Sequence, residues 1–315
     1  MGQGELMDHI LRELEKHGFQ ARTVSISHLA ELKEAIDKRY EKGEFSEEFY
    51  RERLTDFRFE PPESLAGARI IIIAAFPQPK NQVIIRLLGK PFPLIIPPTY
   101  QYYPNSVAER LLKRILKPAG YKLARTILPL KLLAARSGLG SYGRNNICYV
   151  PGMGSYHRLM AFYSDFPAND DFWQPAKLMK TCAKCRACQR NCPTGAISTK
   201  SYLLRAERCL TYLNEKAGDF PVWVNPACHN SLVGCLECQD VCPENSPFRK
   251  WIEPGEEFSE EESLSLMQGD GPEKLPLSLR KRLQNLGLMD YIELLPRNIR
   301  SVMAASPKLF HNLEK

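Results

Sequence analysis

The chain has 315 residues, of which 43% are hydrophobic and 25% charged, with a formal net charge of +7. That is the composition of a packed globular protein of about two domains, and it excludes a disordered chain or a small fold that needs staples. Lys and Arg are spread along the chain and residues 253–262 are acidic, so the positive balance suits a nucleic-acid partner and plain solubility equally.

Leu6, Ile10, Leu11 and Leu14 recur at helical spacing, so the chain is expected to open on an amphipathic helix. A secretory leader would need a basic start and a continuous apolar core, and N-myristoylation would need Ser or Thr where Leu6 stands. The first 60 or so residues read as helices, with Glu31 to Leu54 highly charged and Pro61-Pro62 ending the run. Arg69 to Phe76 is a buried strand, because its aliphatic run is far shorter than the ~20 residues that cross a bilayer. Residues 77–105, rich in proline and aromatics without a clean period, read as a long loop or lid. Helical spacing returns over Val107–Leu116 and Leu128–Arg136. A glycine-punctuated turn, Ser137 to Gly143, then leads into a strand over Asn146–Val150, expected to pair with a second over Arg158–Tyr163. Leu275–Leu288 and Asp290–Ala304 read as short helices closing the chain. Helices and strands interleave up to about residue 170, which gives an α+β fold class.

Ten cysteines in a chain without a leader argue for metal ligation in a reducing compartment, not for a disulfide framework. Cys182-x2-Cys185-x2-Cys188-x3-Cys192-Pro193 is the run with which bacterial ferredoxins bind two clusters, its fourth cysteine ligating the other cluster. Cys235-x2-Cys238-x3-Cys242-Pro243 repeats the tail of that run with one cysteine fewer. By pseudo-symmetry Cys182, Cys185, Cys188 and Cys242 hold one 4Fe-4S cluster, while Cys192, Cys235 and Cys238 hold three corners of a second. The eighth ligand is then Cys209 or Cys228. Pairs of Cys-x2-Cys also build zinc sites, but a three-cysteine run closed by Cys-Pro and repeated downstream favours iron and sulfur. Interlocked clusters suit the passage of single electrons.

Beyond the cysteines, Ser137-Gly138-Leu139-Gly140-Ser141-Tyr142-Gly143-Arg144-Asn145-Asn146 is similar to the AGLGWIGKNT motif of the epoxyqueuosine reductase family, and Gly154-Ser155-Tyr156 is similar to its GSW or GSF. Cys182 to Ala196, Arg208-Cys209-Leu210-Thr211-Tyr212-Leu213 and Gly234-Cys235 through Pro243-Glu244-Asn245 match further family motifs. The chain therefore resembles that family, corrinoid and iron-sulfur enzymes related to the reductive dehalogenases, over residues 1 to about 300. The resemblance implies a nitroreductase-like α/β domain over 1–175, a ferredoxin-like double-cluster domain over 176–248 and a short helical extension over 249–315. It makes Cys209 the eighth ligand and leaves Cys148 and Cys228 as extra thiols. It also implies a base-off cobalamin held by Gly138, Gly140, Tyr142, Gly143, Arg144 and Asn145. The glycines would admit a flat macrocycle close to the backbone, with a helix-ending turn as the plainer reading of the same residues. His157 is not carried over as a cobalt ligand, since the family keeps its corrinoid without a protein histidine.

Three features depart from the family. Lys122 to Pro129, where the family carries an acid in a VDxAP segment, has no carboxylate, and general acid catalysis is worth about 10² to 10⁴ in rate. The RxYAxGxDYH signature is missing around Tyr100 to Pro104, which leaves Tyr102 and Tyr103 as the candidate donors and the catalytic group otherwise unassigned. The helical repeats that grip the tRNA stem are not expected after Pro296-Arg297-Asn298-Ile299-Arg300. The expected activity is a cytoplasmic reductase that takes electrons from a low-potential donor such as ferredoxin or flavodoxin, through two clusters, to a corrinoid. Its substrate would be a small molecule or a partner's corrinoid. The alternatives are a two-cluster carrier or corrinoid-activating protein without its own corrinoid, and a tRNA epoxyqueuosine reductase with a rearranged site.

Overall fold

The computed structural model describes residues 2–167, 171–198 and 202–305; residues 306–315 of the expected C-terminal extension lie outside the described residues. In chain order the elements are α1 (Gln3–Lys16), β1 (Gln20–Ser25), α2 (Leu29–Glu41), α3 (Glu47–Phe49), β2 (Ile70–Pro77), β3 (Lys80–Leu87), β4 (Lys90–Ile96) and α4 (Tyr103–Leu116). There follow β5 (Leu123–Arg125), α5 (Leu130–Arg136), β6 (Ser141–Tyr142), β7 (Cys148–Tyr149), β8 (His157–Ser164), α6 (Ala187–Arg190) and α7 (Leu210–Asn214). The chain closes through α8 (Glu237–Asp240), β9 (Ile252–Glu257), α9 (Glu260–Gln268), α10 (Leu277–Leu286) and α11 (Leu295–Ala305).

The chain divides into two compact units, neither continuous in sequence: residues 1–77, 103–185 and 200–203 form one, and residues 78–102, 186–199 and 204–315 the other. The division runs between Cys185 and Arg186, inside the first cysteine motif.

The first unit is built on a four-stranded antiparallel sheet of order β1-β2-β8-β5. β2 explains its aliphatic run. Successive side chains point to opposite faces of a strand, so Ile70, Ile72 and Ala74 join a core with Leu6, Ile10 and Leu14 of α1 and Leu111, Leu112 and Leu116 of α4. Ile71, Ile73 and Ala75 join a second core with Leu29 and Leu32 of α2 and Leu133 and Ala134 of α5. Helices on both faces leave no polar position from Ile70 to Ala75. Truncating one of these isoleucines to alanine is expected to cost about 2 to 5 kcal/mol.

Three expectations are corrected here. The first 60 residues are not all helical, because Gln20–Ser25 is the outer strand β1. The segment expected to be a loop at 77–105 is largely the hairpin β3–β4, paired from Asn81↔Ile96 to Leu87↔Lys90. Its two-residue turn places Leu88 and Gly89 at φ 50° and 70°, the doubly positive geometry that matches strand twist. Its prolines, Pro91 and Pro93, are tolerated because β4 is the edge of the sheet β4-β3-β9. Finally, β8 pairs with β2 and β5 while β7 pairs with β6, so the strand around Cys148 does not partner Arg158–Tyr163. β8 is buried along most of its length, and only a central place in the large sheet provides that burial.

The second unit packs β3 and β4 with α9, α10 and α11 around Val83, Ile85, Phe92, Leu279, Leu283 and Ile299. The acidic stretch 253–262 is β9, which runs parallel to β3, followed by the capped start of α9. Among the described residues no helix is long and apolar enough to cross a membrane.

Candidate metal centre and the glycine loop

None of the ten cysteines is in a disulfide. In the second unit, Cys188 lies on α6 and Cys238 on α8, and these two short helices pack together. Each is a single turn that carries the middle cysteine of a Cys-x2-Cys-x3-Cys-Pro run. Cys192, Cys209 and Cys235 share one electrostatic field: burial raises the Cys209 thiol and Cys192 adds to the rise, while burial raises Cys235 to about 12 and Cys209 adds to that.

Opposing this, N–H groups point at the same sulfurs. Thr211 and Tyr212 donate backbone hydrogen bonds to Cys209, Asn230 Nδ2 lies 3.3 Å from Cys235 Sγ, and Ala196 N lies 3.2 Å from Cys192 Sγ. The Thr194 hydroxyl is 3.7 Å from the same Cys192 sulfur. Buried sulfurs that gather N–H donors, yet are costly to ionise alone, suit thiolates neutralised by iron, and hydrogen bonds to the sulfurs are among the determinants of a cluster's potential. Among the described residues no three His, Cys, Asp or Glu side chains converge tightly enough to hold a single ion.

Cys228 lies in the same neighbourhood. It is half-buried, its thiol faces Pro193 O at 3.8 Å, and Cys192 contributes to raising its pKa after burial. Cys148 is buried on β7, where burial raises it to about 12. Sequence reasoning missed Asn230, whose Oδ1 also accepts from Leu236 N at 3.0 Å. It missed as well the pair of Lys80 with Asp240 at 3.1 Å, which anchors α8 to β3. Nothing in the spacing of the chain marks either.

The glycine loop, in the first unit, is committed to the protein itself. A Cβ on Gly138, which has φ +74°, would meet Phe172 at 2.6 Å; on Gly140 it would meet Cys148 Sγ at 2.6 Å and Tyr149 O at 2.7 Å; on Gly143 it would meet Tyr149 at 2.5 Å. The glycines therefore serve a close approach between the loop and its own neighbours. Tyr142 is buried, stacks on Tyr202 at 4.6 Å, and exchanges backbone hydrogen bonds with Lys177 and Met179. Arg144 Nη2 donates to Cys182 O at 2.8 Å, and Asn145 Nδ2 donates to Tyr149 OH at 3.0 Å. His157 is buried, bonded through Nε2 to Cys148 O at 3.0 Å, and held down to about pKa 4 by burial. That is a structural role. Tyr102 and Tyr103 are 41% and 50% exposed, and Tyr103 meets the Phe76 ring edge-on at 5.9 Å. Leu123–Arg125 of the acid-free segment is the strand β5.

Residues 181–245 match the family model of a 4Fe-4S double cluster binding domain. The epoxyqueuosine reductase of Pseudomonas aeruginosa is 30% identical over 246 residues, which cover 72% of this chain and 65% of that protein. The Escherichia coli epoxyqueuosine reductase is 28% identical over 243 residues, 72% and 62% of the two chains. The chain thus spans less than two thirds of the length of these curated relatives. A crystal structure of epoxyqueuosine reductase with an epoxyqueuosine-modified tRNA-Tyr stem loop aligns with a TM-score of 0.68 at 20% identity, over 96% of this chain and 82% of that one. The Bacillus subtilis epoxyqueuosine reductase structure aligns with a TM-score of 0.67 at 20% identity, over 98% and 85%. At that identity the structures show a common fold.

Proposed function

We propose, from the premise that the chain is epoxyqueuosine reductase-like, that it is an iron-sulfur reductase with two 4Fe-4S clusters. Cys182, Cys185, Cys188 and Cys242 would hold one, and Cys192, Cys209, Cys235 and Cys238 the other. The observation that carries the reading is the common field of Cys192, Cys209 and Cys235 with the N–H donors aimed at their sulfurs. In this assignment 176–248 is the double-cluster domain, 1–175 a nitroreductase-like domain and 249–315 the helical extension. The protein works in the reducing cytoplasm, fed by a low-potential carrier.

Within it the residues present do three things. Buried and half-buried cysteines supply thiolates whose charge the irons neutralise. Backbone and Asn230 N–H groups tune the sulfurs. Lys80 and Asp240 fix the helix that carries Cys238.

The likeness brings a corrinoid with it, which when bound supplies the metal that reduces a substrate. The six loop residues expected to hold it, Gly138, Gly140, Tyr142, Gly143, Arg144 and Asn145, are instead engaged by the protein. That engagement favours a second reading, a two-cluster carrier or corrinoid-activating protein without its own corrinoid. A tRNA substrate, which one structural relative binds as a stem loop, would need an acid from outside Lys122–Pro129; the exposed Tyr102 and Tyr103 are the candidates.

Anaerobic purification in the presence of cobalamin, followed by metal analysis, tests these readings. About eight irons with stoichiometric cobalt supports the corrinoid enzyme, and about eight irons without cobalt supports the carrier. Zinc in place of iron contradicts both.

A further inference from the structure

The basic residues are dispersed, but their excess over the acids is not. Between Phe172 and Arg208 stand eight basic residues and one acid, Glu207, while the other 278 residues carry 35 basic and 35 acidic side chains. The whole excess of +7 lies in the segment that opens the cysteine motifs. In the second unit, Arg205 and Arg208 of this segment both fasten onto the turn that follows Cys192: Arg205 Nη2 donates to Gly195 O at 2.8 Å and Arg208 Nε to Thr194 O at 3.1 Å. Arg208 immediately precedes Cys209, and its guanidinium lies 4.5 Å from the centroid of the Trp223 ring. Trp223 is 44% exposed and its neighbour Val222 is fully exposed. Single exposed apolar residues are ordinary, but an adjacent Val-Trp pair beside arginines has the composition of an interface centre.

We infer that Val222 and Trp223, rimmed by Arg205 and Arg208, form the docking surface for an acidic one-electron carrier protein, which delivers its electron to the second cluster. The inference rests on the reading of Cys192, Cys209, Cys235 and Cys238 as ligands. The charge complementarity selects an acidic partner, and Arg208, which lies over Trp223 and immediately precedes Cys209, puts that partner close to a ligand of the second cluster. The step moves one electron: the carrier is oxidised by one, the second cluster is reduced by one, and no bond or proton is exchanged. RNA fits less well, because a stacking platform needs open aromatic faces, whereas Arg208 covers one face of Trp223 and Val222 has no ring. Of the acids nearby, Asp219 acts on Arg297.

The test uses the full chain, reconstituted anaerobically, with stopped-flow reduction by a reduced acidic 2Fe-2S ferredoxin and, separately, by dithionite. The ferredoxin rate is expected to fall steeply with added salt. Arg205→Glu and Val222→Glu should each slow it about tenfold at low salt. Both variants should keep about eight irons and the wild-type dithionite rate. Val222 is fully exposed, so it serves if Arg205→Glu disturbs the Gly195 turn. An unchanged ferredoxin rate in both variants, or a salt-independent wild-type rate, overturns the proposal. So does an Arg205→Glu variant that weakens binding of tRNA while reducing normally. A wild-type protein without about eight irons would instead remove the cluster reading itself, before any rate is measured.

Discussion

In the glycine loop the space beside Gly138, Gly140 and Gly143 is taken by Phe172, Cys148 and Tyr149, and the polar side chains of Arg144 and Asn145 are spent on protein oxygens. In the cysteine segment the sulfurs of Cys192, Cys209 and Cys235 are surrounded by N–H donors but joined to no other sulfur. Two stretches with equally strong motifs therefore meet opposite demands. One is closed by its own packing; the other is arranged to be completed by a group with positive charge. A motif of glycines and a motif of ligands carry different weight as evidence for a cofactor, because glycine answers any close approach while clustered buried thiols answer few things besides metal.

The contrast breaks most visibly at a ligand. Cys235→Ser should cost about four of about eight irons and the matching half of the visible absorbance; full iron content would remove Cys235 from the shell. The loop should respond through stability instead. In Gly140→Ala the new Cβ presses on the backbone oxygen of Tyr149, which cannot yield as a side chain can, so a loss of about 1 to 3 kcal/mol is expected by thermal or denaturant unfolding. Adding Cys148→Ala should recover only part of it. A variant of unchanged stability that fails to take up cobalamin would show that the loop is a cradle after all.

The next effect is smaller and depends on pH. Burial holds His157 neutral down to about 4, whereas an imidazole in the unfolded chain titrates near about 6.5. As pH falls the unfolded state takes its proton first, so the stability is full above about 6.5 and drains between about 6.5 and about 4, by at most about 3 kcal/mol. His157→Gln should flatten that part of the acid limb in unfolding curves, leaving the share of His229, which burial likewise lowers to about 4. The smallest effect concerns tuning. Asn230→Ala removes the hydrogen bond to Cys235 Sγ, and potentiometric titration should find the iron intact with one cluster shifted to a more negative potential. An unmoved potential would contradict a tuning role.

What could be read from residues alone followed how local the cause was. The cysteine spacing marked the ligand residues but not the single-turn helices α6 and α8 that carry Cys188 and Cys238, whereas the amphipathic period of Leu6, Ile10 and Leu14 gave α1. The hairpin at 80–96 was hidden because its turn is Leu-Gly, not Asn-Gly, and because prolines acceptable only at a sheet edge look like loop residues until the sheet is known. The partner of β7 was misread for the same reason, since strand pairing is decided by burial across the whole sheet. The role of the glycines was non-local too: Phe172 lies 34 positions beyond Gly138, and nothing in the loop announces it.

The central claim is the ligand shell of the second cluster, in which Cys192 lies near both Cys209, which takes backbone hydrogen bonds from Thr211 and Tyr212, and Cys228, which takes one from Asn225. Iron and acid-labile sulfide counted in anaerobically reconstituted Cys209→Ser and Cys228→Ser decide it. The account predicts about four irons in the first and about eight in the second; the reverse pattern would contradict it.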